Sequence, residues 1–348
     1  MKCSVTPRIE DVISQSAEPI SVMLTFKQKL EKELEVFTKK KSVHDLPAIF
    51  HYWSHKYLKP KFDEMGIRGI AEFFADNIAM LCRKQEGAVR IFSIGAGHCE
   101  TELQVCQLLV KEGHHNFQMV CSDINQGMLD VGRAGAASIG LAEHCSFCTL
   151  ECSEWKPAVG EYQAVMANQS LHHITDLERL FAAVGKSIGE HGLFIVSDII
   201  GCNGHKRWPE ALKVVHEIWR TMPDRYKFNH ALQRHEKLYE NWDCSTEGFE
   251  GVRAEDILAL LVESFEFDMF LAFGNIIDIF VDRAFGHNFD IDNPDDTAFI
   301  DMIAEVDERL LKDGSVKPTH LLAVMCNGKP TEPRYYQGVN PATCVRMV

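Results

Sequence analysis

The chain has 348 residues, of which 46% are hydrophobic and 25% charged, and its formal net charge is −14 at pH 7. This composition is typical of a globular protein with a sizeable core, and its acidity argues against a nucleic-acid partner, because binding phosphates needs concentrated positive charge. No run approaches the roughly 18 apolar residues of a membrane span, and the first residues lack the apolar core of a signal peptide, so we expect a cytoplasmic protein with no membrane contact and with its 12 cysteines mostly reduced.

Residues 1–88 are predicted to be helical and to form an N-terminal cap region. Apolar residues recur at helical spacing over 26–37 and 67–80, and the segment 46–58 is rich in aromatic residues. No Gly/Ser-rich linker separates this region from the next. We therefore expect it to pack against the domain that follows.

From Arg90 onward, short apolar runs alternate with helical patterns, which is typical of a parallel sheet covered by helices. Seven strands are predicted, at 90–95, 118–122, 145–150, 162–168, 192–199, 266–273 and 319–326. The predicted fold class is α/β, a Rossmann-like, seven-stranded, mostly parallel sheet with helices on both faces.

Two long segments interrupt this alternation, at about 201–264 and 275–318. Additions at the strand-end side of an α/β sheet usually recognise substrates, so both are interpreted as helical insertions that form a substrate cap, although extra helices that only extend the core are an alternative. The predicted division is a cap region at 1–88, a ligand-binding domain at 89–328 and a C-terminal tail at 329–348.

The first predicted strand ends in the turn Ser93-Ile94-Gly95-Ala96-Gly97, which opens into a helical segment. Glycines at such a turn let a nucleotide-sized ligand approach the backbone. The second strand ends at Asp123, whose carboxylate can accept both hydrogens of a ribose diol. The alternative role for Asp123 is to cap the helix that follows.

The next two strand ends also carry polar residues. Glu151 and Cys152 follow the third strand, and the run Asn168-Gln169-Ser170-Leu171-His172-His173 follows the fourth. An imidazole titrates near neutral pH and is therefore suited to accept a substrate proton. The alternative is that both histidines only cap or pack the start of a helix.

These four motifs, in this order, resemble those of class I S-adenosylmethionine-dependent methyltransferases, and the resemblance covers roughly residues 89–326. It implies S-adenosyl-L-methionine as the cofactor, with the glycine turn beneath its methionine part, Asp123 on the ribose, and Glu151 and Cys152 near the adenine. A separate hypothesis is that Tyr52, Trp53 and Tyr57 close over the cofactor from the N-terminal region. The residues assigned to cofactor binding are Ser93, Gly95, Gly97, Glu100, Asp123, Ile124, Met128, Glu151, Cys152, Asn168, Gln169 and Tyr52.

The chain departs from the commonest form of this family at two positions. Ser93 stands where an acidic residue is frequent, and Cys99 stands where a third glycine is frequent. A nicotinamide dinucleotide could occupy the same fold, but the missing third glycine and the polar run 168–173 argue against it.

Methyl transfer depends on aligning the sulfonium methyl group with a nucleophile, and an oxygen or carbon nucleophile usually needs a base. The candidate catalytic residues are His172, His173, Asp198 and His205. No metal site is predicted, because the spacing around the Asp–His pair does not support one and Cys145-x-x-Cys148 has no second pair.

The predicted function is an S-adenosylmethionine-dependent methyltransferase acting on a small-molecule acceptor, with O-methylation preferred. N- or C-methylation of an aromatic, prenyl or sugar acceptor is an alternative, as is a non-catalytic partner or sensor protein that binds S-adenosylmethionine. The stretches 47–54, 203–210 and 285–290 resemble a bacterial methyltransferase subgroup, some members of which are encoded with enzymes of surface-polysaccharide or secondary-metabolite synthesis. A homo-oligomer is compatible with the sequence.

Overall fold

The computed structural model of the protein describes residues 46–85, 87–246 and 248–346. Its strands are β1 (Val89–Ile94), β2 (Phe117–Asp123), β3 (Cys145–Thr149), β4 (Ala164–Asn168), β5 (Leu193–Ile199), β6 (Phe228–Asn229), β7 (Arg234–His235), β8 (Glu266–Phe273), β9 (His320–Cys326) and β10 (Arg334–Tyr335). Its helices are α1 (Ala48–Trp53), α2 (Lys59–Glu64), α3 (Ile70–Lys84), α4 (Glu100–Lys111), α5 (Gln126–Ser138), α6 (Leu177–Ile188), α7 (Pro209–Thr221), α8 (Ala254–Ser264), α9 (Ile276–Val281), α10 (Pro294–Lys312) and α11 (Pro341–Cys344).

One sheet of eight strands runs through the centre, in the order β10-β8-β9-β5-β4-β1-β2-β3. All neighbouring strands are parallel except β9, which runs antiparallel to both β5 and β8. The order of the strands reverses between β1 and β4, so the crossovers diverge on either side of that pair. In open α/β sheets ligands bind in the crevice that this reversal opens at the carboxyl ends of the strands.

Apolar side chains project from both faces of the strands, and helices cover them on both sides of the sheet. Ile91 belongs to a hydrophobic cluster with Phe74 of α3 and Leu109 of α4. Its neighbour Phe92 belongs to the opposite cluster, together with Leu180 of α6. Because successive side chains of a strand point to opposite faces, near-continuous apolar runs of this kind require helices on both sides.

The seven predicted strands and the α/β fold class are confirmed, and the strand count is corrected from seven to eight. The additional strand is β10, which pairs in parallel with β8 and comes from the segment expected to be a tail. The insertion after β5 also contains the antiparallel pair β6 and β7. Each of these strands has two residues, which is too short for an alternating pattern to be recognised.

The predicted helix at 26–37 lies outside the described residues. The aromatic segment 46–58 forms α1 and a π-helical turn at Ser54–Leu58 that continues into α2, and the segment 67–80 forms most of α3. Helix α3 contacts α4, so the described part of this region, from residue 46 onward, packs on the sheet domain as expected. Among the described residues, no helix combines the length and the apolar character needed to cross a membrane.

The two insertions differ in what they add. The first includes α7, the β6–β7 hairpin and several single helical turns, and it ends in α8, whose Ile257 and Leu261 belong to the same buried cluster as Leu180 of α6. Helix α8 therefore lies in the layer that covers the sheet. The second insertion contributes α9 and α10, which contact each other.

Candidate active site

The turn after β1 brings the backbone of two strand ends into close approach. Gly95 has φ +63° and Gly97 has φ +53°, conformations that side chains of L-residues rarely adopt. A Cβ atom at Gly95 would lie 2.7 Å from the Cβ of Ser170, and one at Gly97 would lie 3.1 Å from Cε of Met128. Glycine at position 95 is therefore required both by conformation and by the neighbouring β4 loop.

The structure accounts for both departures from the commonest family motif. Ser93 is buried and its hydroxyl donates to Oε1 of Glu102 at 2.6 Å, so a carboxylate from α4 stands beside this position; burial raises the pKa of Glu102 to about 7. Cys99 faces Gly132 of α5, where a Cβ would lie 2.6 Å from the Cys99 sulfur. The room for close packing that a glycine at position 99 would provide is thus provided by Gly132 on the neighbouring helix.

A cavity of about 460 Å³ opens at the carboxyl ends of β1 to β4. Eight of the twelve residues assigned to the cofactor line it, namely Gly95, Gly97, Asp123, Ile124, Met128, Glu151, Cys152 and Gln169. The structure therefore brings together the ends of four strands that are far apart in sequence, as the motif order predicted.

The other four assigned residues lie elsewhere. Ser93 is buried beneath the turn, and the amide of Asn168 donates to the hydroxyl of Thr101 at 3.0 Å. Glu100 is exposed as the first residue of α4. The hydroxyl of Tyr52 donates to the carboxylate of Asp301 at 3.1 Å, and Tyr52 lines a different cleft, along α1. The contacts of Ser93, Asn168 and Tyr52 direct these three side chains to partners outside the cavity.

Asp123 is held at the floor of the cavity by two backbone amides. Its Oδ2 accepts the N–H of Gly97 at 2.9 Å, and its Oδ1 accepts the N–H of Asn125 at 2.8 Å. Burial raises the pKa of Asp123 despite these hydrogen bonds. Asp123 does not cap α5, because Asn125 takes that position and accepts the N–H of Met128. The carboxylate is therefore oriented jointly by the glycine turn and by the residue that caps α5.

A second polar group lies beside the cavity, around Asp198 at the end of β5. Asp198 is fully buried, and its Oδ2 accepts the backbone N–H groups of Ser170 and Leu171 at 2.9 and 2.8 Å. Its Oδ1 accepts Nδ1–H of His172 at 2.6 Å and the N–H of Ile199 at 2.8 Å. Asp198 thereby fixes the turn that carries His172 and the orientation of the His172 ring.

Three imidazoles approach the carboxylate of Glu250, which comes from the first insertion. Nε2 of His205 donates to Glu250 Oε1 at 2.6 Å. Nε2 of His172 lies 3.4 Å from the same oxygen, and Nε2 of His173 lies 3.8 Å from Oε2. All four predicted catalytic residues are thus gathered in one cluster, and we call His172, His173, His205, Asp198 and Glu250 the histidine cluster.

The two carboxylates dominate the electrostatics of the histidine cluster. Burial by itself would lower the pKa of His172, but the charges and hydrogen bonds of Asp198 and Glu250 raise it to about 10. Burial would likewise raise the pKa of Glu250, but its hydrogen bonds to His172 and His205 hold it well below the usual range. With both carboxylates ionised, His172 is a proton donor at neutral pH.

Sequence reasoning missed Glu250 and its neighbour Phe249, which lines the cavity, as do Ile174, Thr175 and Asp176. One feature of the sequence pointed to this contact, namely Gly251. It adopts φ +67°, and a Cβ added there would lie 3.0 Å from the backbone nitrogen of Gly204. A glycine of this kind marks a close backbone approach. It could have indicated a contact within the insertion, but not which side chain enters the site.

No model of a known protein family matches the chain, and no curated protein matches it. Solved structures do resemble it. The geranyl diphosphate C-methyltransferase from Streptomyces coelicolor A3(2) is 12% identical, over 74% of this chain and 78% of that one, with a TM-score of 0.41. An O-methyltransferase from a trans-AT PKS multienzyme of Brevibacillus brevis is 12% identical, over 88% of each chain, with a TM-score of 0.41.

The cyclase SpnF is also similar, at 13% identity over 81% of this chain and 96% of that one, with a TM-score of 0.39. The two methyltransferases were solved in complex with S-adenosyl-L-homocysteine. Likeness at this level concerns the fold alone, so the activity of this chain has to be judged from its own cavity and side chains.

Proposed function

We propose that this protein is an S-adenosylmethionine-dependent methyltransferase that acts on a small-molecule acceptor. The observation that carries the proposal is the cavity at the β1/β4 reversal, with the close-packed glycine turn on one side and the carboxylate of Asp123 at its floor. A volume of about 460 Å³ is within the range of small-molecule and cofactor sites.

The lining residues offer a partner for each part of the cofactor. Asp123 keeps lone pairs on both oxygens for the two ribose hydroxyls, since each oxygen accepts one backbone N–H. Ile124 and Met128 present apolar surface for the adenine, and Glu151 and Cys152 line the same cavity. The methionine part would then extend across the glycine turn toward the β4 loop. The cofactor supplies the electrophilic methyl group, and the residues of the chain bind it and keep water out.

The histidine cluster supports O-methylation. His173 lines the cavity and also lies beside Glu250, so the imidazoles and carboxylates stand next to the space that an acceptor would occupy. An acceptor hydroxyl must lose a proton during transfer, and His173 is the imidazole of the cluster that lines the cavity and is placed to accept it. Asp198 positions this cluster through the backbone of 170–171 and through His172.

The proposal is tested by isothermal titration with S-adenosylhomocysteine of the wild type, Asp123→Ala and the control Asp130→Ala. Asp130 is an exposed aspartate of α5, paired with Arg133. We expect micromolar binding by the wild type and the control. Loss of a charged acceptor for two hydroxyls, at about 1.5–3 kcal/mol each, predicts a drop in affinity of at least about a hundredfold in Asp123→Ala.

Equal affinity in all three proteins, or no binding by any of them, would overturn the cofactor assignment. If binding is confirmed, a screen of acceptors with hydroxyl, amine and carbon nucleophiles, read out as formation of S-adenosylhomocysteine, distinguishes the possible reactions from one another and from a non-catalytic role. Turnover with hydroxyl acceptors supports O-methylation. Binding without turnover of any acceptor would favour a non-catalytic partner or sensor protein.

A further inference from the structure

We propose that His172, His173 and Glu250 form a binding site for one divalent transition-metal ion at the edge of the cofactor cavity. One ligand atom from each of these three residues lies within 4.8 Å of the other two. A tetrahedral ion with bonds of roughly 2.0–2.1 Å spaces its ligands about 3.4 Å apart. Side-chain adjustments on the order of 1 Å are therefore sufficient to enclose an ion.

The orientation of His172 is the one that a metal ligand requires. Its Nδ1 donates to buried Asp198 at 2.6 Å, which leaves Nε2 directed toward Glu250 at 3.4 Å. Histidines that bind metal ions usually donate their second ring N–H to a carboxylate, which fixes the tautomer and the ring plane. Asp198 is itself immobilised by three backbone N–H groups. The carboxylate of Asp198, which would orient His172 as a metal ligand, is thus already in place.

The position of Glu250 gives an ion access to the site. Its side chain keeps 41% of its surface exposed, whereas that of His172 keeps 4%. An ion can therefore enter from solvent past Glu250 and reach the buried imidazole. His205, whose Nε2 contacts the same carboxylate at 2.6 Å, is available as a further ligand once an ion replaces that hydrogen bond.

The donor atoms select the class of ion. Two imidazole nitrogens and one carboxylate suit Zn²⁺, Fe²⁺, Co²⁺ or Mn²⁺, whereas Mg²⁺ and Ca²⁺ prefer all-oxygen sites. Three protein ligands leave at least one position open, which is typical of catalytic rather than structural metal sites. Because His173 also lines the cavity, that ion would lie close to the bound cofactor.

The role of the ion rests on the proposed function. An acceptor hydroxyl that binds the open position becomes more acidic and loses its proton to solvent water. A lone pair of that oxygen then forms the bond to the methyl carbon, while the carbon–sulfur bond breaks and its electron pair stays on sulfur. The products are the methyl ether and S-adenosylhomocysteine, with one proton released. The chain's own contribution is to hold the acceptor oxygen beside the cofactor.

The test starts from purified full-length protein that is stripped with a chelator and then dialysed free of it. Co²⁺, Zn²⁺ and Mn²⁺ are added separately, and bound metal per chain, the visible absorption of bound Co²⁺ and the thermal midpoint are measured. We expect one ion per chain for at least one metal, together with a rise in the midpoint, because a ligand of the native state stabilises it. Glu250→Gln and His173→Gln should each weaken binding by at least about tenfold.

The matched control is His216→Gln, which removes an imidazole from the same insertion but outside the histidine cluster. Nε2 of His216 contacts the carbonyl of Tyr239, and a glutamine amide can keep that contact. Circular dichroism confirms folding of each variant, and His173→Gln answers the question alone if Glu250→Gln does not fold. The site is refuted if the wild type binds none of the three metals, or if both cluster variants bind as the control does. Titration of metal-free protein with S-adenosylhomocysteine tests the cofactor assignment separately, since Asp123 does not belong to the cluster.

Discussion

Replacing Gly95 by alanine tests the argument that the glycine turn and the β4 loop are packed too closely for a side chain. Gly95 has φ +63°, and a Cβ there would lie 2.7 Å from the Cβ of Ser170. The matched control is Gly113→Ala. Gly113 also has a positive φ, of +86°, but nothing lies within 4 Å of the Cβ it would gain.

The two substitutions share one cost and differ in another. A left-handed conformation costs a non-glycine residue about 1–2 kcal/mol, and both variants also lose the same unfolded-state entropy, so these terms largely cancel in the comparison. Overpacking at a rigid contact adds about 1–3 kcal/mol, and only Gly95→Ala incurs it. We expect Gly95→Ala to lower the free energy of unfolding by about 1–3 kcal/mol more than Gly113→Ala does.

Urea denaturation of both variants gives the free energies, and Ser170→Gly completes a double-mutant cycle. Ser170→Gly removes the colliding Cβ while keeping the N–H that Asp198 accepts. The combination of Gly95→Ala with Ser170→Gly should therefore recover about 1–3 kcal/mol relative to additivity. Equal destabilisation by the two glycine variants, together with an additive cycle, would show that the close contact between these strand ends has no energetic consequence.

Two further predictions concern buried carboxyls. Burial, with the nearby charge of Asp278, raises the pKa of Asp307 from its ordinary 3.8 to about 8. The folded state therefore holds a proton that the unfolded state releases, and through this group the free energy of unfolding falls by roughly 1.4 kcal/mol per pH unit between about pH 5 and 7. Asp307→Asn keeps an acceptor for the N–H of Ile276 and should remove that slope in urea titrations at several pH values, whereas an unchanged slope would contradict the assignment. Ser93→Ala removes the hydroxyl donor to Glu102, whose pKa of about 7 means that its charge is present at pH 8 but mostly absent at pH 6. The substitution should therefore lower the free energy of unfolding by about 1.5–3 kcal/mol at pH 8 and by about 1 kcal/mol less at pH 6. An effect at pH 6 that equals or exceeds the effect at pH 8 would refute the role given to the Ser93–Glu102 hydrogen bond.

The strand ends could be predicted from the sequence because their signals are local. Gly95, Gly97 and Asp123 each stand directly after a recognisable apolar run, and the carboxyl ends of parallel strands necessarily meet at one edge of the sheet. Eight assigned residues consequently line one cavity. Tyr52 lacked such a constraint, since it lies on a helix outside the sheet, and the structure places its hydroxyl on Asp301 instead.

The partners of the predicted residues could not be read from the sequence. Glu102 lies nine residues after Ser93 and Gly132 lies 33 after Cys99, yet each completes the environment of its partner. Compensation of this kind depends on how α4 and α5 pack, which a single sequence does not reveal. Glu250 was hidden for the same reason, because nothing in an irregular insertion indicates which carboxylate will meet the histidines.

The backbone explains why three remote segments keep five titratable side chains in contact. Val252 donates its N–H to the carbonyl of His172 at 3.0 Å, and Gly204 donates its N–H to the carbonyl of Gly251 at 2.8 Å. Together with the amides that Asp198 accepts, these bonds fix the turns on which His172, His173, His205 and Glu250 stand. His205 also adopts φ +56°, a conformation that a non-glycine residue holds only when its surroundings impose it. The two bonds donated by Val252 and Gly204 join main-chain atoms, so they do not depend on the protonation of the cluster's side chains. A proton and a metal ion can exchange there without rebuilding the fold.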